Sequence, residues 1–416
     1  MCHEELLRSD KVDFFATLGN YMRPRNLGGS GNPGVPLGSV RLHDKLFFEE
    51  MDFRNDYSNS LNPSYRVWLG VPFDASPKNA FNQLRRSFGA MLTQGESGWF
   101  MTMGQRCKFT WYGPYAPIMK EVTDAFRGEA PEMKEQWPGM IFFHDEKRPI
   151  YYTMLNNYDH ASGYLGRIYS AESGVAAQHY YLSDLTDPRL PKSKLYIFAD
   201  TARFSEEQLQ FIEKNLQKDG NVLVFFNDAG ALSAGGFEKN IRRLTGMNIR
   251  LRPEITVGSL ISGEKGCRFT ATLPVYALYC ATLRTPLHLI DDPQATVLAR
   301  YLDSEYPAAA MKKHKDWTAV YFGNFPVLAL DANTLRELAL YAGIRPFAPA
   351  GDVSAAGNGV MMIHARTDGG KLLQWKGKYD LLDLITGKIA VRNAEKFTFP
   401  MKAGETRWFR LMKNSR

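Results

Sequence analysis

Cysteine is scarce in this sequence. Its four residues, Cys2, Cys107, Cys267 and Cys280, stand far apart, with no Cys-x-x-Cys pair and no histidine at metal-ligand spacing. That spacing argues against a disulfide-stapled miniature or a structural zinc site and predicts unpaired thiols, three of them buried. Long apolar runs are also missing. The longest, such as residues 275–281, are strand-sized and far below the ~20 residues that span a bilayer. No five like charges occur in succession, which excludes a nucleic-acid patch and a polybasic membrane segment. The opening Met1-Cys2-His3-Glu4-Glu5 has neither a basic n-region nor an apolar core, so the chain as written is expected in the cytoplasm.

What remains is an ordinary globular composition. Hydrophobic residues make up 44% and charged residues 23%, and the net charge of +7 is mild for 416 residues. At roughly 150 residues per domain, the length predicts two to four domains with ample core.

Residues 1–136 alternate short apolar runs with glycine- and proline-rich loops. Strand-like runs at residues 12–16, 45–50 and 98–103 are interleaved with helix-like segments at residues 76–92 and 117–126. In the first of these helices, Ser76-Pro77 fits N-cap and first turn, and Ala80, Phe81, Leu84, Phe88 and Leu92 fall at helical spacing. This is the rhythm of parallel βα units. Residues 137–346 repeat it more cleanly. The run Leu195-Tyr196-Ile197-Phe198-Ala199 predicts a strand buried on both faces. Ser205-Glu206-Glu207-Gln208 reads as a capping box, followed by Leu209, Ile212 and Leu216 on one helical face. An open, doubly wound α/β domain is expected. In residues 347–416, short β-like runs separated by turns predict a small antiparallel β-sandwich.

Glu49 and Glu50 lie at the end of a predicted parallel strand, just before Met51-Asp52-Phe53-Arg54. Sites in βα folds gather at the carboxyl ends of strands. A carboxylate there can form a glycosyl-enzyme intermediate if a second carboxylic acid stands about 5 Å away. The plainer alternative is a solvated acidic pair answered by Arg54. Trp99 ends the next predicted strand, and its aromatic face suits either a saccharide cleft or core packing. In the middle domain no G-x-G-x-x-G or phosphate loop follows the first strands. Neither Gly266-Cys267-Arg268 nor Tyr279-Cys280-Ala281 forms the tight elbow an amidotransferase nucleophile needs, so a catalytically silent domain is expected. His144, His160, His179 and His364 read as isolated histidines.

The segment from Ser39 through Leu46-Phe47-Phe48-Glu49-Glu50 to Arg54 resembles strand seven of bacterial β-galactosidase-like glycoside hydrolases. Phe88-Gly89 and Gly98-Trp99-Phe100-Met101 continue the likeness into strand eight. Tyr181-Leu182-Ser183-Asp184-Leu185 through Asp219-Gly220, and then Asp380-Leu381-Leu382-Asp383 through Ala403-Gly404-Glu405-Thr406, carry it over nearly the whole chain. The resemblance implies an α/β protein in three parts. These are the C-terminal part of a (β/α)8 barrel at 1–136, an amidotransferase-like, flavodoxin-type trimerisation domain at 137–346, and a small β domain at 347–416. It also implies a homotrimer, a carbohydrate substrate, no cofactor and no metal.

By the same resemblance Glu50 is the nucleophile of a retaining enzyme and Trp99 the sugar-stacking floor. Asp52 and Arg54 hold and polarise the nucleophile's surroundings, while Tyr21 and Arg23 reach the sugar from the preceding loop. The family's general acid comes from an Asn-Glu pair on strand four, and no such pair occurs in residues 1–48. A complete barrel takes about 250 residues, so the chain is expected to be a fragment of an enzyme that cleaves terminal sugars. A non-catalytic assembly or carbohydrate-binding remnant is the alternative. A half barrel is further expected to leave a strand edge and an apolar face uncovered.

Overall fold

The computed structural model describes residues 3–18, 27–31, 34–51, 77–100, 116–127, 137, 139–147, 161–199, 201–253, 256–257, 261–271, 283–284, 286–301, 306–323 and 331–413. The chain divides into two compact units. One comprises Met1–Ser9, Gly139–Tyr169 and Ala177–Arg345, the other Asp10–Pro138, Ser170–Ala176 and Pro346–Arg416. Residues 10–138 and 346–416 thus share a unit.

After a short α1 (His3–Arg8), which belongs to the first unit, the second unit runs β1 (Phe14–Leu18), α2 (Leu37–Leu42), β2 (Leu46–Met51), α3 (Pro77–Gln94), β3 (Ser97–Phe100) and α4 (Ala116–Arg127). The three strands form a parallel sheet in the order β1-β2-β3, as the alternating pattern predicts. Local chemistry sets the entries. Asp44 takes a left-handed φ of 57° between α2 and β2, and the Leu46 N–H donates to the Asp13 carbonyl at 3.1 Å. α3 has proline at its first position. It closes at Gly95, φ 71°, where the Glu96 N–H reaches back to the Met91 carbonyl at 3.1 Å.

The first unit carries β4 (Met140–His144), α5 (Ala161–Glu172, whose last three residues belong to the second unit), β5 (Ala177–Tyr181), β6 (Leu195–Ala199), α6 (Glu206–Phe211, continued by a π-helical turn Ile212–Leu216), β7 (Asn221–Phe226) and α7 (Phe237–Thr245). There follow β8 (Ile249–Arg252), β9 (Thr256–Val257), β10 (Ile261–Gly263), β11 (Leu283–Arg284), β12 (Leu287–Ile290), β13 (Thr296–Tyr301), β14 (Pro307–Lys313), β15 (Trp317–Phe322) and α8 (Ala332–Tyr341). Eight of these strands make one sheet in the order β10-β13-β14-β15-β7-β6-β4-β5. Its half from β15 to β5 is parallel. There β4, β6 and β7 are buried along their whole length, as continuous apolar runs require. The Ser205 capping box forms, with Ser205 Oγ accepting from the Gln208 N–H and Gln208 Oε1 accepting from the Ser205 N–H.

The antiparallel wing β10-β13-β14 extends the parallel half of the sheet. β14 and β15 are joined by the short turn 314–316, which permits only antiparallel neighbours. The histidines of this unit are not isolated. His144 Nε2 and His179 Nδ1 lie 3.0 Å apart, because Phe142↔His179 and His144↔Tyr181 register brings both rings to one face of β4 and β5. Cys267 is a free, half-buried thiol; Cys2, Cys107, Cys280 and His160 lie outside the described residues.

The C-terminal strands β16 (Val353–Gly357), β17 (Val360–His364), β18 (Gly369–Asp383), β19 (Lys388–Met401) and β20 (Thr406–Met412) form one five-stranded antiparallel sheet, ordered β16-β17-β20-β18-β19. A two-sheet sandwich is not what the described residues build. The apolar runs at 372–375 and 379–382 are parts of one strand, because register shifts between Gln374 and Tyr379 absorb the extra residues as a bulge. The sheet packs on α3 and α4 through a core that includes Leu84, Phe88, Met91, Ile118, Val122, Val353, Met362 and Trp408. The Trp408 indole N–H donates to the Arg85 carbonyl at 2.7 Å.

Among the described residues, no helix is long and apolar enough to cross a membrane. None of them form a group of three or more His, Cys, Asp or Glu able to hold a metal ion.

Candidate active site

Strand β2 alternates along its length. Phe47, Glu49 and Met51 are buried, while Leu46, Phe48 and Glu50 are more open. Side chains of a strand point alternately to its two faces, and registered partners in a parallel ladder share a face. The register therefore sets three rows on the open face: Phe14 beside Leu46, Ala16 beside Phe48 and Ser97, and Leu18 beside Glu50 and Trp99. Phe14, Leu18, Leu46 and Trp99 are all exposed, and Phe14 meets Phe48 edge to face at 5.6 Å between ring centroids. Among the described residues, exposed apolar side chains thus gather on this face.

One carboxylate interrupts that face. Glu50 stands in the last row, at the carboxyl ends of the strands, between Leu18 and the Trp99 indole. Neighbouring strands are about 4.8 Å apart, so the acid and the ring are immediate neighbours. Glu50 is half-buried and enters no hydrogen bond or ion pair among the described residues, while Trp99 is 39% exposed. A half-shielded carboxylate beside an open indole can approach a sugar carbon while the ring stacks on the sugar's C–H face.

Glycine makes the juxtaposition possible. A Cβ on Gly98 would sit 2.8 Å from the Glu49 carbonyl oxygen and about 3.0 Å from Met91 Sδ. Only a residue without one lets β3 lie tightly between β2 and α3.

The other face is different. Glu49 is buried at 3% exposure and Glu96 at 5%, so the solvated acidic pair is corrected: adjacency in sequence sends Glu49 and Glu50 to opposite sides. Burial pushes the Glu96 carboxyl well above its usual range; the Arg41 charge opposes that and the Glu49 charge adds to it. Neither Glu96 oxygen finds a hydrogen bond, which fits a protonated acid. Arg41 itself donates to the Gln94 carbonyl at 2.9 Å. Sequence reading missed Glu96, although carrying the β3 alternation back from Gly98 places it on the Glu49 face. Asp52, Arg54, Tyr21 and Arg23 lie outside the described residues.

No protein-family model matches the sequence, and no curated protein matches it. Solved structures do resemble it in fold. A β-galactosidase from Bacillus circulans sp. alkalophilus superposes with a TM-score of 0.57 at 15% identity, covering 93% of this chain and 63% of its own. A catalytic mutant of a GH42 β-galactosidase from G. stearothermophilus gives 0.57 at 12% identity, covering 98% and 61%. The cold-adapted β-galactosidase from Rahnella sp. R3 gives 0.50 at 13%, covering 90% and 65%. The chain thus spans less than two thirds of the length of the proteins it matches. Parallel strands, a mixed α/β sheet and a β-rich C-terminal region together make up a β-galactosidase-like fold.

Proposed function

We propose that this chain supplies the nucleophile side of a retaining glycoside hydrolase site that releases terminal sugars, in the manner of β-galactosidases. The observation that supports the reading most is the Glu50–Trp99 pair on the open face at the strand ends. Glu50 attacks the anomeric carbon, the leaving oxygen departs with a proton, and water then releases the sugar from the carboxylate ester. Trp99 stacks under the ring, Asp52 and Arg54 hold the nucleophile, and Tyr21 and Arg23 contact the sugar. Residues 1–136 contribute the barrel strands, 137–346 assemble a homotrimer, and 347–416 form the small β domain. The proton donor is a second carboxylic acid that this reading assigns to no residue of the chain, so the chain alone is expected to hydrolyse ordinary glycosides very slowly.

The test removes the need for that donor. A 2-deoxy-2-fluorogalactoside bearing a dinitrophenolate leaving group needs no general acid, and the fluorine slows release of the glycosyl-enzyme. Mass spectrometry is expected to find one glycosyl group, on the peptide containing Glu50, and none in Glu50→Gln. Absence of the label, a label elsewhere, or an equal label in the variant overturns the proposal.

A further inference from the structure

In the first unit a cleft of about 570 Å³ opens at the end of the sheet where β7 and β15 begin. This volume is that of a small-ligand site. Three segments wall it: the turn Lys218-Asp219-Gly220 before β7, the hairpin turn 314–316 between β14 and β15, and Tyr341 at the end of α8. Backbone bonds fix the turns. The Gly220 N–H donates to the Asp316 carbonyl at 2.7 Å, and the His314 N–H donates to the Trp317 carbonyl at 2.8 Å.

The cleft has a preformed flat wall. The His314 imidazole lies on the Trp317 indole with centroids 4.1 Å apart and planes 11° from parallel. Its Nε2 is 2.9 Å from the Thr245 carbonyl; a carbonyl only accepts, so Nε2 carries the hydrogen. A side chain at Gly246 would collide with this ring at 2.3 Å, and glycine there leaves the imidazole its place. Around the wall stand Lys218, Lys313 and Lys315, all exposed. Among the described residues none of the three ammonium groups is in a hydrogen bond or an ion pair. Asp219 and Asp316 complete the rim.

We propose that this cleft binds an acidic polysaccharide, one whose sugars carry carboxylates, at a place separate from Glu50. Lys218 stands on one turn and Lys313 and Lys315 stand at the other, so the cations are spread over both walls and match negative charges spaced along a chain. Of the backbone N–H groups that could cradle a phosphate here, that of Gly220 is already committed to Asp316. The two rim carboxylates can accept hydrogen bonds from sugar hydroxyls.

Electrophoresis of the folded chain through native gels containing polygalacturonate tests the proposal. Mobility is expected to fall with polygalacturonate and not with neutral galactan, and the effect is expected to weaken at least fivefold in Lys218→Ala/Lys313→Ala/Lys315→Ala. A matched control, Lys376→Ala/Lys388→Ala/Lys396→Ala on the exposed C-terminal sheet, removes the same charge and is expected to bind as the parent does. Glu50→Gln is also expected to bind normally, which separates this site from the proposed catalytic one. Retardation that is absent, that falls equally in both triple variants, or that inorganic tripolyphosphate abolishes at equal charge would overturn the assignment.

Discussion

Glu50 and Trp99 are register partners on adjacent parallel strands, so the carboxylate and the indole leave the sheet on the same side. Each needs the other for the proposed chemistry, since an attacking carboxylate is useful only where a sugar is held.

Trp99→Ala is therefore expected to impair sugar capture far more than folding. Stacking on an aromatic face contributes on the order of 1 kcal/mol, so the rate of labelling by the fluorinated glycoside at low concentration should drop about fivefold. Because the ring is 39% exposed, the melting temperature should move by only a degree or two. An unchanged labelling rate would remove Trp99 from the site.

Gly98→Ala tests how tightly the pair is set. The added methyl meets a backbone carbonyl at 2.8 Å and the Met91 side chain at about 3.0 Å, and only the methionine can yield. Overpacking of this kind costs roughly 1–3 kcal/mol, and β3 must shift away from β2. Thermal denaturation should show the loss, with Glu50 labelling reduced in the protein that remains folded. A variant of parental stability would show that β3 has slack here.

Much of this organisation was legible in the sequence because periodicity reports burial directly. The run 195–199 had to be a strand covered on both faces, and Ser205 with Gln208 had to start a helix. Pairing partners were harder. Nothing local says that His144 and His179, 35 residues apart, share a strand face, or that Glu96 lies under Glu49. Those facts come from register, which only the assembled sheet sets. The same gap explains the C-terminal region, where the pattern showed β-like runs but not that a bulge joins two of them into a single strand.

Gly89 holds α3 against the C-terminal sheet. A Cβ there would lie 2.4 Å from Trp408 Nε1 and 2.6 Å from Met362 Cγ, both fully buried. The indole cannot retreat without losing its bond to the Arg85 carbonyl. Gly89→Ala should therefore cost about 3 kcal/mol through overpacking and the orphaned indole N–H, despite alanine's better helix propensity. Denaturant unfolding followed by Trp fluorescence should show a lower midpoint. A midpoint at or above the parent's would mean that α3 and the sheet can separate freely.

The His144–His179 contact makes stability depend on acidity. Burial holds both imidazoles well below their usual 6.5; the Arg167 charge works in the same direction on each, and each ring stacks on Phe142. The unfolded chain thus takes up protons below about pH 6.5 that the folded pair refuses. Stability from the pair is complete above that pH and is lost on acidification, by up to about 1.4 kcal/mol per pH unit for each ring. Glu146 opposes this over a narrower window. Its carboxyl is pushed up to about 6, chiefly by burial, from the ordinary 4.5, so between those values the folded state holds a proton that the unfolded state releases. Melting temperatures measured from pH 7.5 to 5.0 should fall in the parent. They should fall more steeply in Glu146→Gln and less steeply in His144→Phe/His179→Phe. The slope is the readout, because a variant weaker at every pH still reveals whether these two rings carry the dependence. A parental slope retained in the double variant would place it elsewhere, with His364, whose pKa burial also lowers, the next ring to replace.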